Sequence, residues 1–277
     1  MTRLSTAGHG ISLKAAHYGD LLRESFALGW GEALTENFLG RGGRPVAVLE
    51  RIRRDTNIIL HGVSMSIGGS DPLDEDYLLQ LRALADRIEA AYVSDHLCFG
   101  SVGGVHGHDL WPLPLSEEAL AHVIPRVQRV QDALGRALVI ENVSAYVTYE
   151  SSTMTEPEFI SALLQATGAG LLLDVNNVYV SAYNLGFDAT AYLKALPTEY
   201  VRYMHLAGHL DQGAYLLDNH GGPVSDEVLA LYLVARARFG AVPTIVEWDS
   251  NLPALAGLLA ESARVQQYVR ENDHGPT

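Results

Sequence analysis

Leu171–Asn184 reads LLLDVNNVYVSAYN, three leucines that suit a buried strand followed at once by Asp174, Asn176 and Asn177. A short, wholly apolar run bounded by polar residues is the mark of a strand covered on both faces. Its polar residues then fall at the carboxyl end of that strand.

The same motif recurs along the chain. Apolar runs rich in β-branched residues occur at Gly10–Leu13, Glu32–Glu36, Asn57–His61 and Ala91–His96, and again at Ala137–Glu141, Gly170–Asp174, Val201–His205 and Pro243–Glu247. Between them lie amphipathic stretches such as DEDYLLQLRALADRIEA and SEEALAHVIPRVQRVQDAL, whose Asp or Ser starts and acidic first turns are helix openings. Eight strands separated by helices, near the ~30-residue spacing of a βαβ unit, predict an α/β fold of the (β/α)8 TIM-barrel type. A doubly wound sheet would usually carry a glycine-rich phosphate turn after its first strand, and GISLKAAHY has none. The GRGG stretch at Gly40–Gly43 reads as a turn before a helix near Pro45. With 277 residues, 48% hydrophobic and no linker-like tract, one barrel domain over residues 1–277 is expected, closed by a short C-terminal helix and tail, ESARVQQYVRENDHGPT.

Nineteen Lys and Arg against 33 Asp and Glu give a net charge of −14, a field that repels phosphate backbones and anionic lipid. Neither a nucleic acid nor a membrane is expected as a partner. No apolar run approaches the ~18 residues of a membrane span, and MTRLSTAGHG lacks a secretory signal. A cytoplasmic location is expected, which the single cysteine suits. Cys98 reads as a small buried hydrophobe beside His96.

Seven of the eight strands end in a group able to bind metal or move a proton: Glu36, His61, His96, Glu141, Asp174, His205 and Glu247. A barrel brings all these ends to one face. Asp218 and His220, two apart in LLDNHGGPV, can project together from an extended loop. One His or Glu at a strand end is more often an ordinary surface group. A ring of them is different, because so many like charges in one mouth repel unless cations are bound. Imidazole and carboxylate ligands without cysteine suit iron, manganese or zinc, and the candidates suffice for two or three ions. Asp249, two beyond Glu247, is a candidate catalytic proton carrier. Glu36 and Asn37 are expected to line the pocket, and Asn176 to orient Asp174 by a hydrogen bond. His209 is open between ligand, substrate contact and hydrogen-bond donor.

HGVSMSIGG, SDHLCFG, DLWPLPL, IENVSAY, LLLDVNNVYVSAYN, HLAGH, DNHGGPV and EWDSNLP, in this order from about Gly10 to about Ala260, resemble the multinuclear non-haem iron-dependent oxidases. The resemblance implies a barrel related to xylose isomerase and endonuclease IV. It also implies two or three iron ions, dioxygen as co-substrate, and oxidation of cysteine residues in a ribosomally made precursor peptide. Carried onto this chain, His61, His96 and Glu141 would hold one ion. Glu141 would bridge to a second ion on Asp174, His205 and Glu247, and Asn177, Asp218 and His220 would hold a third. Relatives commonly act with a smaller protein that binds the leader, so such a partner is expected. The loop around FGSVGGVHGHDLWPL, with Trp111, is the expected substrate-facing surface. The competing readings are a zinc-dependent, endonuclease IV-like phosphodiesterase, a sugar isomerase-like metal enzyme, and a peptide-binding subunit without catalysis.

Overall fold

The computed structural model describes residues 8–23, 28–40 and 42–272. Its centre is a closed barrel of eight parallel strands: β1 (Gly8–Leu13), β2 (Trp30–Leu34), β3 (Asn57–His61), β4 (Tyr92–His96), β5 (Val139–Glu141), β6 (Gly170–Asp174), β7 (Val201–Leu206) and β8 (Pro243–Val246). Each pairs with its neighbour in chain order, and β8 closes against β1. The expected TIM barrel is the fold.

The helices start where the sequence signals them. Asp74 caps the helix Glu75–Arg87 by accepting from Tyr77 N at 3.0 Å, and Ser116 caps Glu117–Leu134 by accepting from Ala119 N at 3.2 Å. Ahead of the helix Arg44–Ile52, Gly40, Gly42 and Gly43 take positive φ, conformations open to glycine at little cost. The tail expected after the last helix, Leu255–Asn272, lies outside the described residues, as does most of MTRLSTAGHG. Among the described residues no helix is long and apolar enough to cross a membrane.

Two differences from the expected elements matter for the site. First, β2 ends at Leu34, and Glu36 sits in a 3-10 turn (Thr35–Phe38) beyond it. Second, the helix Val175–Leu185 begins immediately after β6, with Asp174 as its cap, so Asn176 and Asn177 lie on its first turn rather than at the strand's end.

Inside the barrel, Trp30, Ile59, Val139, Leu172, Tyr203 and Ile245 form one apolar layer, with Tyr92 packed against it. Side chains along a strand alternate between its two faces, so the inward residue two positions later on each strand belongs to the next layer up. Those residues are Glu32, His61, Ser94, Glu141, Asp174, His205 and Glu247. One aliphatic and aromatic floor therefore carries a polar layer at the carboxyl end of the barrel. The strand register sets the heights, with His96 opposite Glu141 and Asp174 opposite His205. A larger apolar core fills the space between barrel and helices.

Candidate metal centre

Glu141 lies at the middle of the polar layer. Its Oε2 is 3.1 Å from both His61 Nε2 and His96 Nε2, and its Oε1 is 3.5 Å from His205 Nδ1. The carboxylate thus turns one oxygen to each side. His205 Nδ1 also faces Glu247 Oε2 at 3.0 Å and Asp174 Oδ2 at 3.8 Å. Glu247 reaches in turn to His220 Nδ1 at 3.4 Å, and His220 Nε2 is 2.6 Å from Asp218.

Each histidine is held from behind. His61 Nδ1 is 2.9 Å from Ser94 Oγ, and His96 Nδ1 is 3.0 Å from Gly62 O. His205 Nε2 is 2.8 Å from Glu32 Oε2. A ring nitrogen fixed in this way commits the other nitrogen to the centre. Asp174 is held similarly: its Oδ1 accepts from Asn177 N at 2.7 Å, which leaves Oδ2 facing the cluster. The side chain of Asn142 grips the backbone of Asp174, donating to its carbonyl and accepting from its N–H, both at 3.0 Å.

The charges conflict. Burial works against a proton on His61, but Glu32 and Glu141 outweigh it and raise its pKa to about 9. His205 and His220 are likewise raised against burial, by Glu32 and Glu247 at the first and by Asp218 and Glu247 at the second. Burial and the nearby Glu141 raise Asp174 to about 7. Burial opposes the charge on Glu141 too, yet His96, His61 and His205 hold it well below the usual carboxylate range. Protons balance the charge here, in a pocket built from acceptors.

Four buried atoms in this cluster make no well-directed hydrogen bond among the described residues, Glu141 Oε2, Asp174 Oδ2, His205 Nδ1 and His220 Nε2, although each faces an ionisable neighbour 2.6–3.8 Å away. Buried polar atoms without a well-directed hydrogen bond are uncommon in a folded protein. All four belong to nitrogen and oxygen donor groups of the type that bind borderline or hard metal ions. Four triads bring donor atoms within 4.8 Å of one another: His61, His96, Glu141; Glu141, Asp174, His205; Glu32, His205, Glu247; and Asp174, His220, Glu247. These buried groups can hold metal ions.

Most of the expected residues converge, with four changes of detail. Asn177 stands beside Glu141, its Nδ2 at 3.5 Å from Oε1, and meets Asp218 through Ser144 Oγ, which is 2.9 Å from Asn177 Oδ1 and 2.8 Å from Asp218 Oδ2. Asn176 orients Asp218, at 3.0 Å, rather than Asp174, and its other end accepts from His209 at 2.8 Å. His209 is thereby a hydrogen-bond partner outside the cluster. Glu36 points away from the mouth, holding Val63 N and the Tyr77 hydroxyl at 3.0 Å each, because the strand ends two residues before it. Asp249 stands at the rim, half-exposed, paired with Lys14 and 3.1 Å from His220 Nδ1. Cys98 is buried, and burial pushes its thiol up.

Glu32, Ser94, Asn142, Ser144 and Lys14 complete the site and are absent from the sequence expectations. Glu32 had a signal: it lies two residues after Trp30, in step with the other strands. Lys14 had none, being one of 19 basic residues.

The cluster opens into a cavity of about 340 Å3 at the barrel mouth, whose lining includes Asp109, Tyr146, Asp218, Asp249 and one cation, Lys14. A second cavity of about 470 Å3, lined mainly by apolar residues, lies beside it, and Val143 borders both.

Fold and site define a TIM-barrel protein with a histidine and carboxylate centre at its catalytic end. The chain belongs to the RiPP precursor modification enzyme MbnB/TglH/ChrH family, whose model matches residues 8–270. It is 53% identical over 260 residues to a UPF0276 protein of Anaeromyxobacter sp. (strain Fw109-5), covering 94% of this chain and 92% of that one. A UPF0276 protein of Acaryochloris marina (strain MBIC 11017) is 48% identical, covering 95% of each. Among solved structures, endonuclease IV from Thermus thermophilus superposes with a TM-score of 0.64 at 17% identity, over 95% of this chain and 99% of that one. A 3-keto-D-glucoside 4-epimerase from E. coli gives 0.62 at 11% identity, over 94% and 99%. At such identities these two likenesses concern the fold.

Proposed function

We propose that this chain is a multinuclear non-haem iron oxidase that uses dioxygen to modify cysteine residues of a ribosomally made precursor peptide. The observation that carries the reading is the set of overlapping His, Asp and Glu triads at the carboxyl end of the barrel, whose donor atoms lie within 4.8 Å of one another. Membership of a RiPP precursor modification family supplies the peptide substrate class.

His61, His96 and Glu141 would hold one ion, and Asp174, His205 and Glu247 a second, with Glu141 between them. His220 and Asp218, with Asn177 near by, would hold a third. Bound iron would supply an anchor for a thiolate and one-electron chemistry with dioxygen.

The chain's own residues do the rest. Glu32 and Ser94 fix the tautomers of His205 and His61, so the metal-facing nitrogens are free of protons when loaded. Lys14 stays charged despite burial, because Glu247 and Asp249 raise its pKa, and it holds the Asp249 carboxylate at the rim. From there Asp249 can accept a proton from a thiol or amide that enters the cavity. Val143, shared with the apolar cavity, gives a peptide bearing the cysteine a continuous surface leading away from the centre. Trp111, 43% exposed on the hairpin formed by Cys98–Val102 and Val105–Pro112, adds apolar surface near the mouth. A smaller protein that binds the leader would act beside this chain.

The acidic lining of the mouth disfavours the phosphodiesterase reading, since a phosphate backbone would meet repulsion there. The test is anaerobic purification followed by metal analysis and oxygen uptake with a cysteine-bearing precursor. More than one iron per chain and precursor-dependent oxygen uptake are expected. One zinc per chain with cleavage of abasic DNA would overturn the reading.

A further inference from the structure

One stretch of chain divides the two cavities at the barrel mouth. Beyond Glu141, residues 143–147 line them in turn: Ser144 and Tyr146 the metal cavity, Ala145 and Val147 the apolar one, and Val143 both. The divider is fixed on each side. Ala145 N donates to Ser181 Oγ at 2.9 Å, and the Tyr146 hydroxyl accepts from Asp218 N at 2.8 Å. Farther along the apolar lining, Leu115 N donates to Ser152 Oγ at 3.0 Å, and the Leu115 carbonyl accepts from Thr153 N and Met154 N at 2.9 and 3.1 Å. The apolar cavity therefore has set walls before anything enters it.

Incomplete packing does not account for this space. At about 470 Å3 it far exceeds the water-sized voids of a packed interior and falls in the size range of ligand pockets. Ala191 and Ala195, one turn apart on the helix Ala189–Ala195, both line it, so a longer side chain at either would fill part of it. Val147 and Phe187 line it as well and are 50% and 37% exposed, which leaves apolar surface in water at its edge. The charge of the lining limits what can enter. It includes the carboxyl groups of Glu156 and Asp188, the first accepting from the Tyr192 hydroxyl at 3.0 Å, and no Lys, Arg or His. An acidic side chain or the head of an anionic lipid would meet repulsion there, whereas a neutral apolar group would not.

We propose that this cavity takes the side chain next to the modified cysteine of the precursor peptide and selects a bulky, uncharged apolar residue there, such as Leu or Phe. The inference rests on the reading above of a cysteine-bearing peptide substrate, and not on which metal the centre holds. Neighbouring side chains of an extended peptide point to opposite sides of its backbone. Residues 143–147 turn alternate side chains to the two cavities, so a peptide laid along them directs its cysteine toward Glu141 and the adjacent residue into the apolar cavity. Val143 lies two residues beyond Glu141, roughly 7 Å of extended chain, a step that adjacent side chains can span. Moving Leu or Phe from water into this lining supplies the preference. Ser gains little by the same move, and Asp meets Glu156.

The experiment is anaerobic isothermal titration calorimetry of the full chain, with and without added iron, against the peptides Gly-Gly-Xaa-Cys-Gly-Gly and Gly-Gly-Cys-Xaa-Gly-Gly, where Xaa is Leu, Phe, Ser or Asp. In at least one series Leu or Phe should bind about tenfold more tightly than Ser, with Asp weakest. Ala191→Phe and Ala195→Phe narrow the cavity from helix positions that also reach solvent, so the fold should tolerate them, and circular dichroism checks that it does. In both variants the advantage of Leu over Ser should shrink several-fold, while iron content and the affinity for the Ser peptide stay as in wild type. Leu and Phe peptides that bind no more tightly than Ser in either series, or a preference unchanged in both variants, overturn the proposal and leave the iron reading intact. Oleate that binds and displaces the Leu peptide would give the cavity to a lipid and also overturn it. A preference for Leu in a chain that takes up no iron supports the cavity and overturns the iron reading alone.

Discussion

His205 stands between Glu32 and Glu247, with Nε2 2.8 Å from the first and Nδ1 3.0 Å from the second. All three are fully or nearly buried, on β7, β2 and just beyond β8, so three strands far apart in sequence set one imidazole. Glu32 is the acceptor for one ring proton, so that Nδ1 would be the nitrogen offered to a bound metal. Glu32→Gln keeps the shape but offers a weaker acceptor, and metal affinity should fall by roughly 10–100-fold. Titration of chain-bound iron against a competing chelator checks this, with circular dichroism showing an unchanged fold.

Glu141 divides its two oxygens between the His61 and His96 side and the His205 side. Glu141→Ala should therefore lower the metal content by more than one ion per chain, whereas His96→Ala should affect one ion. Metal analysis of the two variants side by side makes the comparison. Equal losses would remove Glu141 from its central position.

Much of this was legible in the sequence, and the exceptions share a cause. The strand ends could be read because apolar runs terminate abruptly at His61, His96, Glu141 and Asp174. Glu36 was misplaced because EALTE reads as one strand, while the chain turns at Thr35 and only Glu32 is in step with the inward face. The bond from Asn176 to Asp218 joins a helix to a loop 42 positions later and has no local signature. Lys14 gains its role from a pair with Asp249, 235 positions away. Periodicity reveals which face a residue takes, and contacts across the barrel follow only from closure.

Asn142 ties β5 to β6 by holding both backbone groups of Asp174. Asn142→Ala would leave the buried Asp174 N–H unpaired and take one donor from its carbonyl, at a cost of about 1–3 kcal/mol. A fall in Tm of roughly 2–5 °C is expected for a chain of this size. Asn142→Asp keeps the acceptor for the Asp174 N–H but buries a carboxylate against the Asp174 carbonyl, so it should fall at least as far. Thermal unfolding of the three proteins under one buffer decides it.

Glu156 gives a pH dependence away from the centre. It begins the helix Glu156–Thr167, lines the apolar cavity and accepts from the Tyr192 hydroxyl at 3.0 Å. Burial raises its pKa from 4.5 to about 7, against the pull of the Tyr192 bond. A carboxyl raised in the folded state gives stability that is complete below its unfolded pKa and is lost as pH rises through the folded value. Between about pH 4.5 and pH 7 this group should therefore cost the wild type stability, by about 1–2 kcal/mol after allowing for partial solvent contact. Glu156→Gln should match wild type near pH 4.5 and melt higher at pH 8. A difference in Tm that does not grow with pH would refute the assignment.

Gly208 and Gly222 face each other across the loops HLAGH and DNHGGPV, and they differ sharply in tolerance. A Cβ on Gly208 would lie 2.3 Å from the Gly222 carbonyl oxygen and 2.7 Å from that of Pro223, both rigid backbone, whereas a Cβ on Gly222 meets nothing within 4 Å. The second loop carries Asp218 and His220, and His220 already sits at φ 43°, an uncommon conformation for a residue with a side chain. Its carbonyl accepts from Asp249 N at 2.8 Å, so a displacement there moves the rim carboxylate as well. Gly208→Ala should consequently push the loop outward and weaken metal binding at His220 and Asp218, while the ion on His61 and His96 stays. Gly222→Ala should retain wild-type metal content and oxygen uptake. Metal stoichiometry and precursor-dependent oxygen uptake, measured for both variants, test the contact directly. Equal behaviour of the two would show that the loops do not depend on this close approach.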